Sequence, residues 1–322
     1  MGKESIRIDS IRQESIRMHD DVLSSSDPKR RWSIDRRLEF IEFRLYWDGK
    51  VNRSDLMDFF GISMPQASTD LGRYHEIAPH NMAYDGKVKA YLATPEFKPL
   101  LLKPDAQRYF TQLRLNTEGV LPKEACWLGW LPSHATVPTI ARSVDPEKLR
   151  LILESIRTRK ALNVEYQSLS RPAPLWRWIS PHALAFDGFR WHVRSWCHTR
   201  GNFQDFVLAR MLTIGETKPD NINPDDDLEW NQSVTLKIGP HPGLSDAAKK
   251  AIELDYGMEN GVLAVTTRLA LLFYAERRMG LDFDPDTVSP NRQQIVLLNR
   301  EEVEETHSAI RRLITEKEGG NK

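Results

Sequence analysis

The chain has 322 residues, too many for one ordinary core, and its pattern predicts three domains. Hydrophobic residues at 40% and charged residues at 28% describe a globular polypeptide, and no apolar run approaches the roughly 18 residues of a membrane span. Lys+Arg and Asp+Glu balance at 45 each, and two distant cysteines, Cys126 and Cys197, argue against a disulfide scaffold or an all-cysteine zinc site.

Residues 1–30 repeat an ESIR/DSIR pattern and run into SSSDPKRR, which predicts a flexible or loosely helical arm. Its charged and apolar residues alternate without the apolar stretch of a secretory leader, so the protein is expected in the cytoplasm. Over residues 31–103, Ile34, Leu38, Ile41 and Leu45 recur at helical spacing until Asp48-Gly49. A second helix is predicted at about Arg53 to Phe60, and a third begins at Ser63, with Ala67, Leu71 and Tyr74 inward. NMAYDGKVKAYLAT then reads as a hairpin with a two-residue turn at Asp85-Gly86. Three helices and a hairpin make a winged helix-turn-helix.

Residues 104–158 predict a helical connector. It holds a helix at Asp105 to Leu115, an aromatic segment whose tryptophans are expected at an interdomain surface, and a helix from Asp145-Pro146 to about Arg159. Residues 159–227 are strand-like (ALNVEYQS, WISPHALAFDGFRWHVRSWC, FQDFVLARM) and end in an acidic loop. Residues 228–322 alternate strand and helix as a small α+β domain.

On the third helix Gln66, Thr69, Asp70 and Arg73 follow i, i+3, i+4, i+7 spacing and share an expected exposed face. Arg pairs with guanine, Gln with adenine, and Asp accepts from cytosine, so this face suits a major groove. Ser63 and Gln66 equally fit a capping box. Arg53, Ser63, Pro65, Ser68 and Tyr74 complete the expected DNA-contact set. Lys87 and Lys89 on the hairpin suit phosphate, or are solvated edge residues.

Between Arg159 and Ile214, eight Lys/Arg oppose three Asp/Glu, with acid gathered instead at Asp225 to Asp227 and Glu301 to Glu305. A two-residue turn at Asp187-Gly188 would put Arg190, His192 and Arg194 on one strand face, with Trp191, Val193 and Ser195 opposite. Arg210 could stand nearby, whereas strict pairing puts His182 on the Trp191 side. The stripe suits an anion or single-stranded nucleic acid, or is a salt-bridged exterior. His182, His192, Cys197 and His198 match no usual metal spacing, and GxSxG, HExxH and phosphate-loop motifs are missing. Neither an enzyme nor a metal or other cofactor is expected; the rival readings are a single-stranded nucleic-acid accessory protein and a histidine metalloenzyme.

RWHVRSWCHTRGNFQDFVLARM, with ISPHALAFDG and VEYQS upstream, resembles the signature of WYL-domain regulators. Trp191-His192-Val193 holds the triplet position, His192 standing where tyrosine is usual and Val193 where leucine is. SMPQASTDLGRY is similar to the subgroup of WYL repressors beside phage-defence operons, the BREX- and CBASS-associated regulators. The resemblance implies an Sm-like β-barrel at 159–227, a C-terminal dimerisation extension at 228–322, and a homodimer on an inverted-repeat duplex. It also implies release by an anionic effector, small molecule or nucleic acid. The implied pocket is Tyr166, Ser168, His182, Trp191, His192, Arg194 and Arg210, with Arg190 beside it.

Overall fold

The computed structural model describes residues 28–122, 125–138, 140 and 142–319. The expected N-terminal arm lies outside the described residues except for its last three, which open the first helix. The chain divides into two compact units, 1–138 and 139–322. No helix among the described residues is long and apolar enough to cross a membrane.

The first unit contains α1 (Pro28–Asp48), β1 (Lys50–Val51), α2 (Arg53–Phe60), α3 (Met64–Ile77), β2 (Met82–Asp85), β3 (Ala90–Ala93) and α4 (Ala106–Thr117). Gly49 ends α1 at φ +71, a conformation glycine adopts without a Cβ penalty. Asn52 and Asp55 start α2 with a reciprocal capping box, and Gly61 closes it in the left-handed region. Ser63 caps α3, whose Ala67, Leu71 and Tyr74 are buried. The strands form a small antiparallel sheet in the order β1-β3-β2.

Helix α1 is buried on more than the one stripe its periodicity suggests. Leu38 and Ile41 are buried, and so are Phe40 and Phe43. The second side is covered by Trp127, whose ring meets Phe40 and Phe43 edge-on at 5.7 and 5.5 Å. Trp127 therefore belongs to the core of the first unit, correcting its expected place at an interdomain surface, while Trp130 is 62% exposed. Truncating such a buried indole typically costs about 3 to 5 kcal/mol.

The second unit opens with α5 (Pro146–Thr158), capped by Asp145. A sheet follows in the order β7-β6-β5-β4-β8, from β4 (Lys160–Tyr166), β5 (Leu175–Phe186), β6 (Trp191–Cys197), β7 (Asn202–Val207) and β8 (Met211–Pro219). Its core joins Leu162, Val164, Ile179, Val193, Cys197 and Phe206 to Ile152 of α5. The Sm-like barrel is not closed. Edge strands β7 and β8 share no ladder, although only a 3-10 turn, Leu208–Arg210, links them. So short a link between opposite edges requires the sheet to curl strongly, and the turn occupies the seam where ladder hydrogen bonds would run.

Both Asp-Gly pairs depart from the expected two-residue turns. Strand pairing ends at Asp85↔Ala90 and at Phe186↔Trp191, leaving four-residue loops. In each, the Asp carboxylate accepts two loop N–H groups: Lys87 and Val88 on Asp85, Phe189 and Arg190 on Asp187. That local bonding satisfies the wider loop and competes with a tight turn.

The remainder comprises α6 (Leu228–Asn231), β9 (Ser233–Pro240), α7 (Asp246–Tyr256), β10 (Leu263–Arg268), α8 (Leu272–Met279), β11 (Ile295–Leu297) and α9 (Arg300–Gly319). β9 is central in a sheet ordered β10-β9-β11. Its alternating Val234, Leu236 and Ile238 face a core with Ile252, Leu272 and Val303 of the helices.

Candidate functional site

On α3 the outward residues are Pro65, Ser68 and Thr69, with Arg73 half-buried beside them. The hydroxyls of Ser68 and Thr69 donate back to the carbonyls of Met64 and Pro65. Ser63 is exposed and accepts from Gln66 N–H at the helix start. The reciprocal bond of a capping box is missing, because the Gln66 amide donates to Asp70 Oδ1 at 3.0 Å.

Asp70 and Tyr74 do not belong to the outward face. Asp70 is fully buried and takes Arg37 of α1 on both oxygens, Nε to Oδ2 at 2.6 Å and Nη2 to Oδ1 at 3.2 Å. The helical spacing is as expected, but position 70 lies next to Leu71 at the boundary where α1 packs, and Arg37 compensates its charge. Tyr74 donates its hydroxyl proton to Glu42 at 3.0 Å, and burial pushes its hydroxyl pKa up. Glu42 also accepts the backbone N–H groups of Leu100, Leu101 and Leu102. This buried carboxylate ties α1, α3 and the segment after the wing together, and no sequence signal marks it among its neighbours. Arg53 is exposed at the first turn of α2; Lys87 and Lys89 are exposed on the wing loop, Lys89 at φ +53.

The basic stripe of the second unit is real as a grouping, but it is buried and charge-compensated. His192 is 2% and Arg194 4% exposed. Arg194 donates Nε and Nη2 to Asp227 at 2.8 and 2.9 Å, Nη2 to Glu229 at 3.0 Å, and Nη1 to Asp205 at 3.4 Å. Asp187 receives Arg190 Nε and His192 Nε2, each at 2.9 Å. Arg190 itself lies in the loop rather than on the strand. Burial opposes the charge on Asp187, yet bonds from His192, from the Phe189 and Arg190 N–H groups and from the Arg190 side chain hold its carboxyl down at about 2. Burial also acts against Asp227, outweighed by hydrogen bonds from Arg194 and His182 that lower its pKa; in Asp205 burial wins over Arg194 and raises it.

His182 stands on the side opposite to that expected. The β5–β6 register shifts between Pro181 and Ala183, and this bulge brings His182 Nε2 to Asp227 Oδ2 at 2.9 Å, the oxygen that Arg194 Nε occupies. The acidic run near 227 therefore folds back over the basic stripe instead of lying apart from it. Asp227 caps α6, while Tyr274 of α8 donates to Asp205 at 3.2 Å and stacks near His192. The network thus fastens the five-stranded sheet to the C-terminal elements.

Tyr166, Ser168 and Arg210 lie away from it, at the β4 end of the sheet. Tyr166 is buried and its hydroxyl accepts Val207 N–H at 3.2 Å. Ser168 follows β4 and pairs with Ser170, and the Arg210 carbonyl accepts Gln167 N–H. Trp191 is 49% exposed and stacks on Phe186. Sequence reasoning missed Arg177, a buried arginine of β5 over the Tyr166 and Phe206 rings. A cavity of about 220 Å³ adjoins the Asp227 network at His182 and is lined also by Arg159, Lys160, Ser180, Phe203 and Asp220 among others. Cys126 and Cys197 are both buried free thiols, and among the described residues no cluster of three His, Cys, Asp or Glu side chains is arranged to hold a metal.

Three family models match the chain: the BrxR transcriptional regulator winged helix-turn-helix domain at residues 33–115, the WYL domain at 147–215, and the BrxR transcriptional regulator C-terminal dimerization domain at 233–303. A DNA-binding transcriptional repressor CapW of Stenotrophomonas maltophilia is 42% identical over 285 residues, covering 88% of this chain and 95% of the relative. CapW of Pseudomonas aeruginosa is 41% identical over 276 residues, covering 85% and 92%. CapW of Escherichia coli (strain KTE188) is 39% identical over 273 residues, covering 85% and 91%. With a winged helix-turn-helix, a WYL sheet and a C-terminal α/β module in that order, the chain belongs to the BrxR/CapW family of WYL-domain transcriptional regulators, which are not enzymes.

Proposed function

We propose that this protein is a cytoplasmic, homodimeric repressor of a phage-defence operon. Each α3 enters a major groove at one half of an inverted repeat, the C-terminal module pairs the protomers, and an anionic ligand on the WYL sheet releases the DNA. The observation carrying this reading is the outward face of α3, polar and free of packing duty, on a helix anchored from behind by the Arg37–Asp70 pair. The repressor names of the relatives support it. Release requires that the ligand bind the DNA-free arrangement more tightly, since equal affinity shifts nothing.

The test is a gel shift on the protein's own promoter duplex. Arg73→Ala weakens binding about tenfold or more, with relaxed preference at one base pair. Unchanged affinity and preference would remove α3 as the reading element.

A further inference from the structure

The buried stripe around Arg194 is saturated with carboxylates, and the 220 Å³ cavity carries Asp220 on its wall. Arg159 and Lys160 also line that cavity but are exposed and half-buried, so neither place holds a buried cation without a carboxylate partner. Arg177 is such a cation. Its side chain is 8% exposed, its guanidinium carbon lies 5.5 Å from the Tyr166 ring centre and 5.8 Å from that of Phe206, and its Nε has no hydrogen-bond partner. It forms no ion pair among the described residues, whereas Arg37 and Arg194, which are equally buried, each hold an Asp through two nitrogens.

The Arg177 guanidinium sits in a niche where two ring faces offset only part of the hydration it loses. The same niche holds a second donor. The Tyr166 hydroxyl accepts Val207 N–H and has no acceptor for its own proton among the described residues. Gln167, the next residue, bonds to the carbonyls of Arg171 and Arg210, and neither of these arginines has a carboxylate partner among the described residues. Among the described residues no carboxylate pairs with these three arginines; the neighbouring acid, Glu165, accepts from Thr213 instead.

We propose that Arg177, with the Tyr166 hydroxyl, is the seat of a phosphate-type anion on the WYL sheet. The assignment deepens the ligand-release reading and rests on it. A planar guanidinium fork matches the paired oxygens of a phosphate, whether of a small phosphorylated molecule or of a nucleic-acid backbone.

The experiment uses full-length protein, Arg177→Met and Arg177→Lys, with pyrophosphate and a short single-stranded oligothymidylate as probes. Thermal midpoints are read with and without each probe, and oligonucleotide binding by fluorescence anisotropy. Arg177→Met raises the ligand-free midpoint by about 2 °C or more, because an uncompensated charge is gone, and weakens anion binding at least tenfold. Arg177→Lys keeps the charge, lacks the fork, and loses binding without that gain. A response to pyrophosphate identifies a small phosphorylated ligand; a response to the oligonucleotide alone identifies a phosphodiester chain. The assignment is overturned if Arg177→Met binds as the wild type does, if its ligand-free midpoint falls, or if the wild type responds to neither probe. A gel shift of the wild type on its promoter, run without probes, decides the repressor reading separately.

Discussion

Replacing Arg194 by Met removes the one cation shared by Asp205, Asp227 and Glu229. Glu229 is half-buried and keeps Arg311 and His307 at 3.5 Å, so it loses little. Asp227 and Asp205, at 1% and 9% side-chain exposure, lose their arginine and keep the side-chain bonds from His182 and from Tyr274. Breaking a buried pair in this way costs about 3 to 5 kcal/mol. With a urea slope of about 2 kcal/mol per molar for a unit of this size, the transition of the second unit falls by about 1.5 to 2.5 M while that of the first stays in place. The loss shrinks as the pH drops from about 8 to about 5, because burial already raises the Asp205 carboxyl and removing Arg194 lets it take up a proton. A midpoint change under about 0.5 M, or one equal at both pH values, refutes this account. Where the midpoint does fall by about 1.5 M or more, impaired induction in an Arg194 variant reports a loosened clasp rather than a lost ligand contact.

Asp70→Ala strands Arg37 and destabilises the first unit by about 3 to 5 kcal/mol, read by thermal circular dichroism; a variant of normal stability with altered base preference would return Asp70 to the DNA-reading set. Asp187, held at about 2 against an ordinary 3.8, contributes stability that is present above about pH 4 and lost as the pH falls towards 2. The difference is worth about 2 kcal/mol, and Asp187→Asn should flatten that limb of the urea midpoint against pH.

Local signals made most elements legible in the sequence. Capping at Ser63 and Asp145, the stop at Gly49 and the strand alternation of β9 all depend on neighbours a few residues away. What escaped depends on distant partners. Asp70 looked outward because nothing near it announces Arg37, 33 residues earlier. His182 changed sides through a bulge between Pro181 and Ala183, marked only by Pro181, which strict alternation passes over. The last strand of the five-stranded sheet, largely exposed with Gly215 in its middle, shows no alternation to read. The basic stripe was visible as composition, but its neutrality was not, since the compensating acids arrive from the segment around Asp227 and Glu229. Arg177 was hidden by the opposite circumstance: only the structure shows that no carboxylate among the described residues pairs with it.

The division of labour on α3 bears on how such a regulator diverges. The Arg37–Asp70 pair and the Tyr74–Glu42 bond hold the helix through its rear, while Ser68 and Thr69 are exposed with hydroxyls bonded within the helix, and a Cβ on Gly72 would meet nothing within 4 Å among the described residues. Mutations at those positions can drift without a stability toll. On the proposed reading of α3, a duplicated gene of this architecture is free to acquire a new operator while keeping the same docking hardware.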